Sequence, residues 1–295
     1  MNEADAASAA PATPDDPTIW RVDDALWAEL RPLLVSSKPR KKPGRPRLDD
    51  RPLFDGLIWL ARNGGQWATL PREFGAKSTV HARFQEWVAH GCLQQAWVRL
   101  LAVYDDEVQL DWQWQAADGC LVKAPLGKKG GAGEAEATGA NPTDRGKCGV
   151  KRHLLTDGQG VPLATIISEA NRTDMKKLAA LLAARAYVAP TGAEQHLCLD
   201  RGYDYAACRE AAVAHGYPPH IPPKRSKAHP LPAPGDPDRH PPRRWVVEVG
   251  HSWFNRFRRL LIRWDKQAAN YLGFIHLAAI LIIYRKLRHA RSLPR

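Results

Sequence analysis

Apolar positions keep a helical period along the first third of the chain and change to alternation near residue 108, and that change divides the sequence. From Ile19 to Val35, the residues Trp20, Leu26, Trp27, Leu30 and Leu34 mark a short helix that Asp23 can cap. Phe54, Leu57, Ile58 and Leu60 mark a second helix, which stops at Asn63-Gly64-Gly65. Val80, Phe84, Trp87 and Val88 form the inner side of a third, whose outer side carries Lys77, Ser78, Thr79, His81, Arg83 and Gln85. Trp97 and Leu100 face inward on a fourth, over 93–103. Two helices around a glycine-bearing turn, the second with a polar, basic start, have the layout of a helix-turn-helix.

Beyond that point Val108, Leu110, Trp112 and Trp114 alternate with Gln109, Asp111, Gln113 and Gln115, predicting a strand that leads into Ala116-Ala117-Asp118-Gly119. Segments 153–155 and 161–168 flank Asp157-Gly158-Gln159-Gly160, a hairpin signal. Residues 174–187 read as a helix capped by Asp174, and 196–199 as a short strand ending at Asp200-Arg201-Gly202-Tyr203. A helix over 206–215 and a strand over 220–222 come next, while 127–146 and 222–242 are too rich in Gly or Pro for regular structure. The stretch from Arg243 to Lys266 is amphipathic as a single helix. Val246, Val249, Trp253, Phe257, Leu260 and Trp264 lie on one side, with Arg244, Glu248, Ser252, Asn255, Arg259 and Lys266 opposite. A last helix over 268–287 packs behind it, and the whole is of the α/β class with a helical N-terminal part.

Composition narrows the partner. Lys and Arg total 43 against 31 Asp and Glu, a formal charge of +12, which favours a polyanion and nucleic acid first among them. In the segment SSKPRKKPGRPRLDDRP, Lys38, Arg40, Lys41, Lys42, Arg45 and Arg47 are broken up by Pro and Gly. Such a run is a solvated linker or an arm lying along phosphates or in a minor groove. The five cysteines include no CxxC pair, so neither a disulfide framework nor a zinc site is indicated. The first 17 residues contain no Lys or Arg and read as a disordered tail rather than a targeting peptide. The apolar run from Tyr271 to Tyr284 is shorter than the ~20 residues a membrane-spanning helix needs, so a buried core helix is expected.

Three acids draw attention together. Asp118 and Asp200 stand at predicted strand ends, where open α/β sheets place their ligands, and Glu248 is the single acid on a cationic helix face. Each has a plain explanation: a turn or cap for the aspartates, an ion pair with Arg244 for the glutamate. The alternative is a set of oxygen ligands for a divalent cation, on a surface whose arginines hold phosphates.

The segments NPTDRGKCGVKRHLLTDGQGVPL, SEANRTD, LDRGYD and RRWVVEVGHSWFNRFRRLLIRWDK resemble the core of bacterial insertion-sequence transposases of the IS5 group. Their class is DDE and their catalytic domain ribonuclease-H-like. GRPRLDDRPLFDGLIWLARNGGQWATLPREFG is similar to the helical N-terminal module of that group. The resemblance spans roughly residues 38–286. One departure is that the family commonly has Glu-Arg-Thr where this chain has Glu248-Val249-Gly250.

The resemblance implies a ribonuclease-H-like mixed sheet flanked by helices, preceded by a small all-α, helix-turn-helix-like domain. The expected division is a tail over 1–17, a helical DNA-binding domain over 18–107 with its basic arm at 38–47, a catalytic domain over 108–288 and a basic tail over 289–295. Asp118, Asp200 and Glu248 are the implied catalytic and metal-binding acids, Asp118 bridging two Mg²⁺ ions, with Mn²⁺ a substitute. Arg40, Lys41, Lys42, Arg45, Arg47, Lys77, Ser78, His81, Arg83, Lys147, Lys151, Arg244, Ser252, Asn255, Arg256 and Arg259 are the expected DNA contacts. The implied partners are double-stranded DNA, as terminal inverted repeats and as target, and further copies of the chain in a homodimer or larger assembly. No membrane partner is expected, and the expected location is the bacterial cytoplasm at the nucleoid. The implied reaction is hydrolysis at the element end and transfer of the freed 3′-hydroxyl to target DNA. A metal-dependent nuclease without strand transfer and a non-catalytic DNA-binding regulator remain the competing readings.

Overall fold

The computed structural model describes residues 19–34, 47–127, 137–223, 243 and 245–292. The first helix, α1 (Asp24–Leu30), starts where Asp23 accepts the Leu26 N–H at 2.9 Å. The same Asp23 oxygen receives the Tyr284 hydroxyl at 2.6 Å, so a local capping signal also ties this helix to the far end of the chain. Helix α2 (Asp50–Asn63) buries Leu53, Phe54, Leu57, Ile58 and Leu60 and ends at Gly64 in a left-handed conformation. Helices α3 (Lys77–Ala89) and α4 (Cys92–Glu107) complete the helical part.

The link from Gly64 to Ala76 contains two short 3-10 turns, over 67–69 and 72–74. It is longer than the tight turn the helix-turn-helix expectation requires, because Leu70 and Phe74 are themselves buried and take the chain back along α2 to Gly56. The four helices share one apolar core with the sheet and the C-terminal helices, since α9 (Ala268–Ser292) packs against α4, α3 and α2 as well as against the sheet. Trp97 also reaches across, its indole N–H donating to the Pro162 carbonyl at 3.3 Å.

Among the described residues the sheet has six strands. β1 (Trp114–Lys123), β3 (Cys148–Thr156) and β4 (Pro162–Glu169) form an antiparallel meander, and the two-residue β2 (Gly139–Ala140) pairs with the start of β3. On the other side of β1, β5 (His196–Cys198) and β6 (Pro219–His220) run parallel to it. Helices α5 (Leu178–Ala183) and α6 (Ala206–Ala214) make the crossovers that parallel pairing demands. The result is a mixed sheet with helices on its faces, as expected. The hairpin signal at Asp157 is a true turn. This fully buried carboxylate accepts N–H groups from Gln159, Val161 and Asp111, and burial lifts its pKa to about 6 against those hydrogen bonds.

Two sequence expectations shift. The alternation over 108–115 belongs mostly to an extended lead-in, with Leu110 and Trp112 buried but outside the ladder, so Asp118 lies inside β1 rather than at its end. The long amphipathic helix is broken at Arg256-Phe257 into α7 (Trp245–Asn255) and α8 (Arg258–Leu261), after which Ile262 forms an isolated bridge with Lys123 of β1. The break resets the helical phase. The face buried by α7 is Val246, Val247, Gly250, His251 and Phe254, while Trp264, expected on the apolar side, is 44% exposed and Trp245 61%. Helix α9 is long and apolar enough to cross a membrane by length and composition alone, but most of it is buried inside the protein, so it is the core helix the apolar run predicted.

Candidate active site

The parallel register of β1 and β5 sets Ala116 opposite Cys198. Two residues further along each segment stand Asp118, still within β1, and Asp200, beyond the end of β5. Asp200 follows β5 and caps the turn Arg201–Tyr203, its Oδ1 accepting the Gly202 N–H at 2.8 Å. Asp118 Oδ1 accepts the Gly119 N–H, also at 2.8 Å.

Side chains alternate across the sheet, so Asp118 shares a face with Arg152 and Leu154 of β3. Helix α7 lies on that face, against β3 and β1. Gly250 is why it can lie so close: a Cβ there would stand 2.9 Å from the Thr156 methyl and 3.0 Å from Leu154 Cδ2. The glycine that departs from the family pattern and weakens a helix by ~1 kcal/mol relative to alanine is thus a contact point. Next to it His251 is buried, its ring beside the Asp118 main chain and its Nδ1 3.2 Å from Arg152 Nη2. Burial, then the Arg152 charge, push the His251 pKa down to about 3, so the ring is neutral. Glu248 stands one helical turn before His251 and is exposed. The histidine therefore packs against the structure and is not presented to a substrate.

Asp118 lies within β1, Asp200 follows β5, and Glu248 is carried by the helix that packs on β1 and β3. Among the described residues, no three Asp, Glu, His or Cys side chains are gathered as a ready-made metal site. The donor set itself suits a hard divalent cation, being carboxylate oxygen throughout with no sulfur or imidazole. One oxygen of Asp118 and one of Asp200 instead accept a backbone N–H beside them.

The predicted DNA-contacting residues separate into groups. Arg40, Lys41, Lys42, Arg45 and Arg244 lie outside the described residues, as do the N-terminal tail, residues 128–136 of the loop and most of the Pro-rich segment. Lys77, Ser78, Lys147, Ser252, Asn255 and Arg256 are exposed, with Asn255 Oδ1 accepting from Arg152 Nη2 at 3.1 Å. Arg47 is exposed but pairs with Glu86 at 3.3 Å, and His81 packs edge-on against Trp67 with ring centroids 4.6 Å apart.

Three expectations need correction, because burial withdraws the charge from any external phosphate. Arg83 is 6% exposed and paired with Asp50 and Glu86. Lys151 is 8% exposed, its Nζ donating to the Arg172 carbonyl at 2.8 Å and to Asp174 at 3.2 Å. Arg259 is 3% exposed; it binds Asp265 at 2.9 Å and the Gly65 carbonyl at 2.7 Å, between the rings of Trp67 and Phe274.

Asp174 is the residue that sequence reasoning placed wrongly. Thr173 takes the position before the turn, and the Asp174 carboxylate swings away from its own backbone toward Lys151 and His153 on β3. Tyr203, buried at the end of the Asp200 turn, has a phenol pKa raised well above its usual value by burial and then by Asp174, Asp118 and Asp200. Its hydroxyl therefore lies in the field of three carboxylates, one of which, Asp174, the sequence marks only as a helix cap and as the end of the SEANRTD segment.

Known proteins bear on this geometry. Residues 115–283 match the family model described as "Transposase DDE domain", and residues 22–97 match one described as "Putative transposase of IS4/5 family". A protein named "Putative transposase for insertion sequence element IS402", from Burkholderia cepacia, is 35% identical over 158 residues, covering 52% of this chain and 71% of that protein. The "Insertion element IS402 uncharacterized 16.2 kDa protein" of the same organism is 34% identical over 107 residues, 35% of this chain and 73% of that one. A Mos1 transposase paired-end complex with left transposon end aligns over 83% of this chain and 79% of that one, at 14% identity and a TM-score of 0.28.

Proposed function

Because the chain belongs to the DDE-domain transposases, we propose that Asp118, Asp200 and Glu248 form its catalytic centre. There it cuts DNA at the ends of a mobile element and joins the freed 3′-hydroxyl to target DNA. The observation that supports this reading is the parallel β1–β5 register, which pairs Ala116 with Cys198, two residues before Asp118 and Asp200, on the sheet against which the Glu248 helix α7 packs.

The division of labour derives from what phosphodiester cleavage requires. Asp118, Asp200 and Glu248 would hold two divalent cations, Mg²⁺ or Mn²⁺, once the two aspartates turn from their backbone partners. The bound ions supply charge neutralisation at phosphorus and a more acidic attacking water. Ser252, Asn255 and Arg256, exposed at the far end of α7, would receive the DNA backbone beside the cut. Lys77 and Ser78 at the start of α3 and Lys147 before β3 would extend that surface, with the basic arm at 38–47 binding the terminal repeats. The packing of His251 and Arg152 beneath α7 fixes the helix that presents Glu248.

The test is cleavage of labelled DNA bearing the element's own ends, with Mg²⁺ or with EDTA, by the full chain and by Asp200→Ala and Glu248→Gln. Metal-dependent cutting lost in both variants, with DNA binding retained, is the expected result, and joined products separate a transposase from a nuclease. Cutting that survives Asp200→Ala would overturn the assignment.

A further inference from the structure

Behind β1, on the face opposite Asp118, lies a compact polar group that the proposed reaction leaves unused. Gly119, Lys151 and His153 share that face by register. The Asp174 carboxylate rests directly on the Gly119 α-carbon, where even a methyl group would overlap it. Lys151 Nζ grips one of its oxygens at 3.2 Å while donating to the Arg172 carbonyl at 2.8 Å. The other oxygen is buried 3.4 Å from His153 Nδ1 and without a hydrogen bond. His153 is 1% exposed, anchored to Ser168 Oγ at 2.8 Å, and kept neutral by burial, which pushes its pKa down to about 3. The turn that carries Asp174 also packs against the turn Arg201–Tyr203 that Asp200 caps. Asp174 thus rests on the backbone next to Asp118, and the turn that carries it packs against the turn begun by Asp200.

A plain salt bridge does not account for this. An acid needed only to neutralise a buried lysine has no reason to sit at the one position of β1 that lacks a side chain, wedged between the two segments that bear the predicted ligands.

We propose that Asp174 is a positioning residue, resting on Gly119 and held by Lys151, that fixes the spacing of Asp118 and Asp200 and so their affinity for divalent cations. The inference rests on the assignment of Asp118 and Asp200 to the catalytic centre. It concerns no direct contact of Asp174 with substrate.

The experiment uses the full chain and Mn²⁺ as probe, titrated by calorimetry without DNA, alongside thermal unfolding and the Mg²⁺ dependence of end cleavage. The variants are Asp174→Asn, Asp174→Ala, Gly119→Ala and the double variant Gly119→Ala/Asp174→Ala. Removal of a group supporting metal ligands typically costs about tenfold or more in affinity, so Asp174→Asn should raise the half-saturating Mn²⁺ concentration by at least that factor. Gly119→Ala should do the same by displacing the carboxylate. The double variant should be no worse than Asp174→Ala alone, because the clash disappears with the side chain it displaces. All titrations are run below the melting transition of the least stable variant, which separates weak binding from unfolding. Wild-type Mn²⁺ affinity in Asp174→Asn, even with a lowered melting temperature, would overturn the proposal and leave a purely structural ion pair. So would independent, multiplying effects of Gly119→Ala and Asp174→Ala. A wild-type chain that neither binds Mn²⁺ nor cuts would instead bring down the catalytic assignment, and this inference with it.

Discussion

Replacing Arg259 by leucine separates a structural arginine from a DNA-binding one. Arg259 and Asp265 form a buried pair, 2.9 Å apart with each side chain 4% exposed, and the second guanidinium nitrogen holds the Gly65 carbonyl after α2. Leucine leaves Asp265 buried without its partner, a change that typically costs ~3–5 kcal/mol. At roughly 2–4 °C of melting temperature per kcal/mol for a chain of this size, calorimetry should show a fall on the order of 10 °C. The double variant Arg259→Leu/Asp265→Leu should recover part of it, since an apolar pair removes the stranded charge. DNA binding measured by fluorescence anisotropy across salt should keep its slope in Arg259→Leu. In Arg256→Ala, which removes an exposed cation, the slope should fall by about 0.9, the value for a single phosphate no longer neutralised. An Arg259→Leu protein that melts with the wild type but binds DNA with a shallower salt slope would refute the reasoning.

Other consequences arise from the same geometry. Gly250→Val should lower stability by about 1–3 kcal/mol, despite valine's better helix propensity, because the new side chain strikes Thr156 and Leu154; end cleavage should fall as α7 lifts, and thermal unfolding with the cleavage assay checks both. His276, buried in α9 against Trp97, has its pKa pushed down to about 4 by burial. The unfolded chain takes up this proton near pH 6.5 and the folded one resists, so the contribution is complete above pH 6.5 and is lost as pH falls toward 4. It amounts to about 3 kcal/mol at 1.36 kcal/mol per pKa unit, and the stability difference between pH 7 and pH 4.5 should shrink in His276→Leu by calorimetry. Asp157 works in the opposite sense: its pKa, raised to about 6, gives stability that is full below pH 4 and lost as pH rises through 6, so Asp157→Asn should be less pH-sensitive between those values.

Much of this protein was legible in its residues. Asp23 as a cap, the stop at Gly64, the turn at Asp157 and the burial of the final apolar helix are local properties, readable because period, capping chemistry and turn residues act within a few positions. The candidate acids were legible for a different reason: the motifs around Asp118, Asp200 and Glu248 resemble a known group. The charges were the weakest reading. Lys151, Arg83 and Arg259 have the same composition and neighbours as exposed cations, and only the fold decides that each faces an internal acid or carbonyl.

The sequence by itself therefore determined most of the elements and their order, the basic character of the chain and its family, but not the break between α7 and α8 or the start of β1. Only the tertiary structure decided that β5 enters beside β1 in the register that pairs Ala116 with Cys198, that α7 rests on Gly250, and that Asp174 leaves its helix cap to settle against Gly119. Those outcomes depend on contacts between segments remote along the chain, where the gain from packing must outweigh the entropy of closing the loops between them, and no local pattern records which partner a side chain meets.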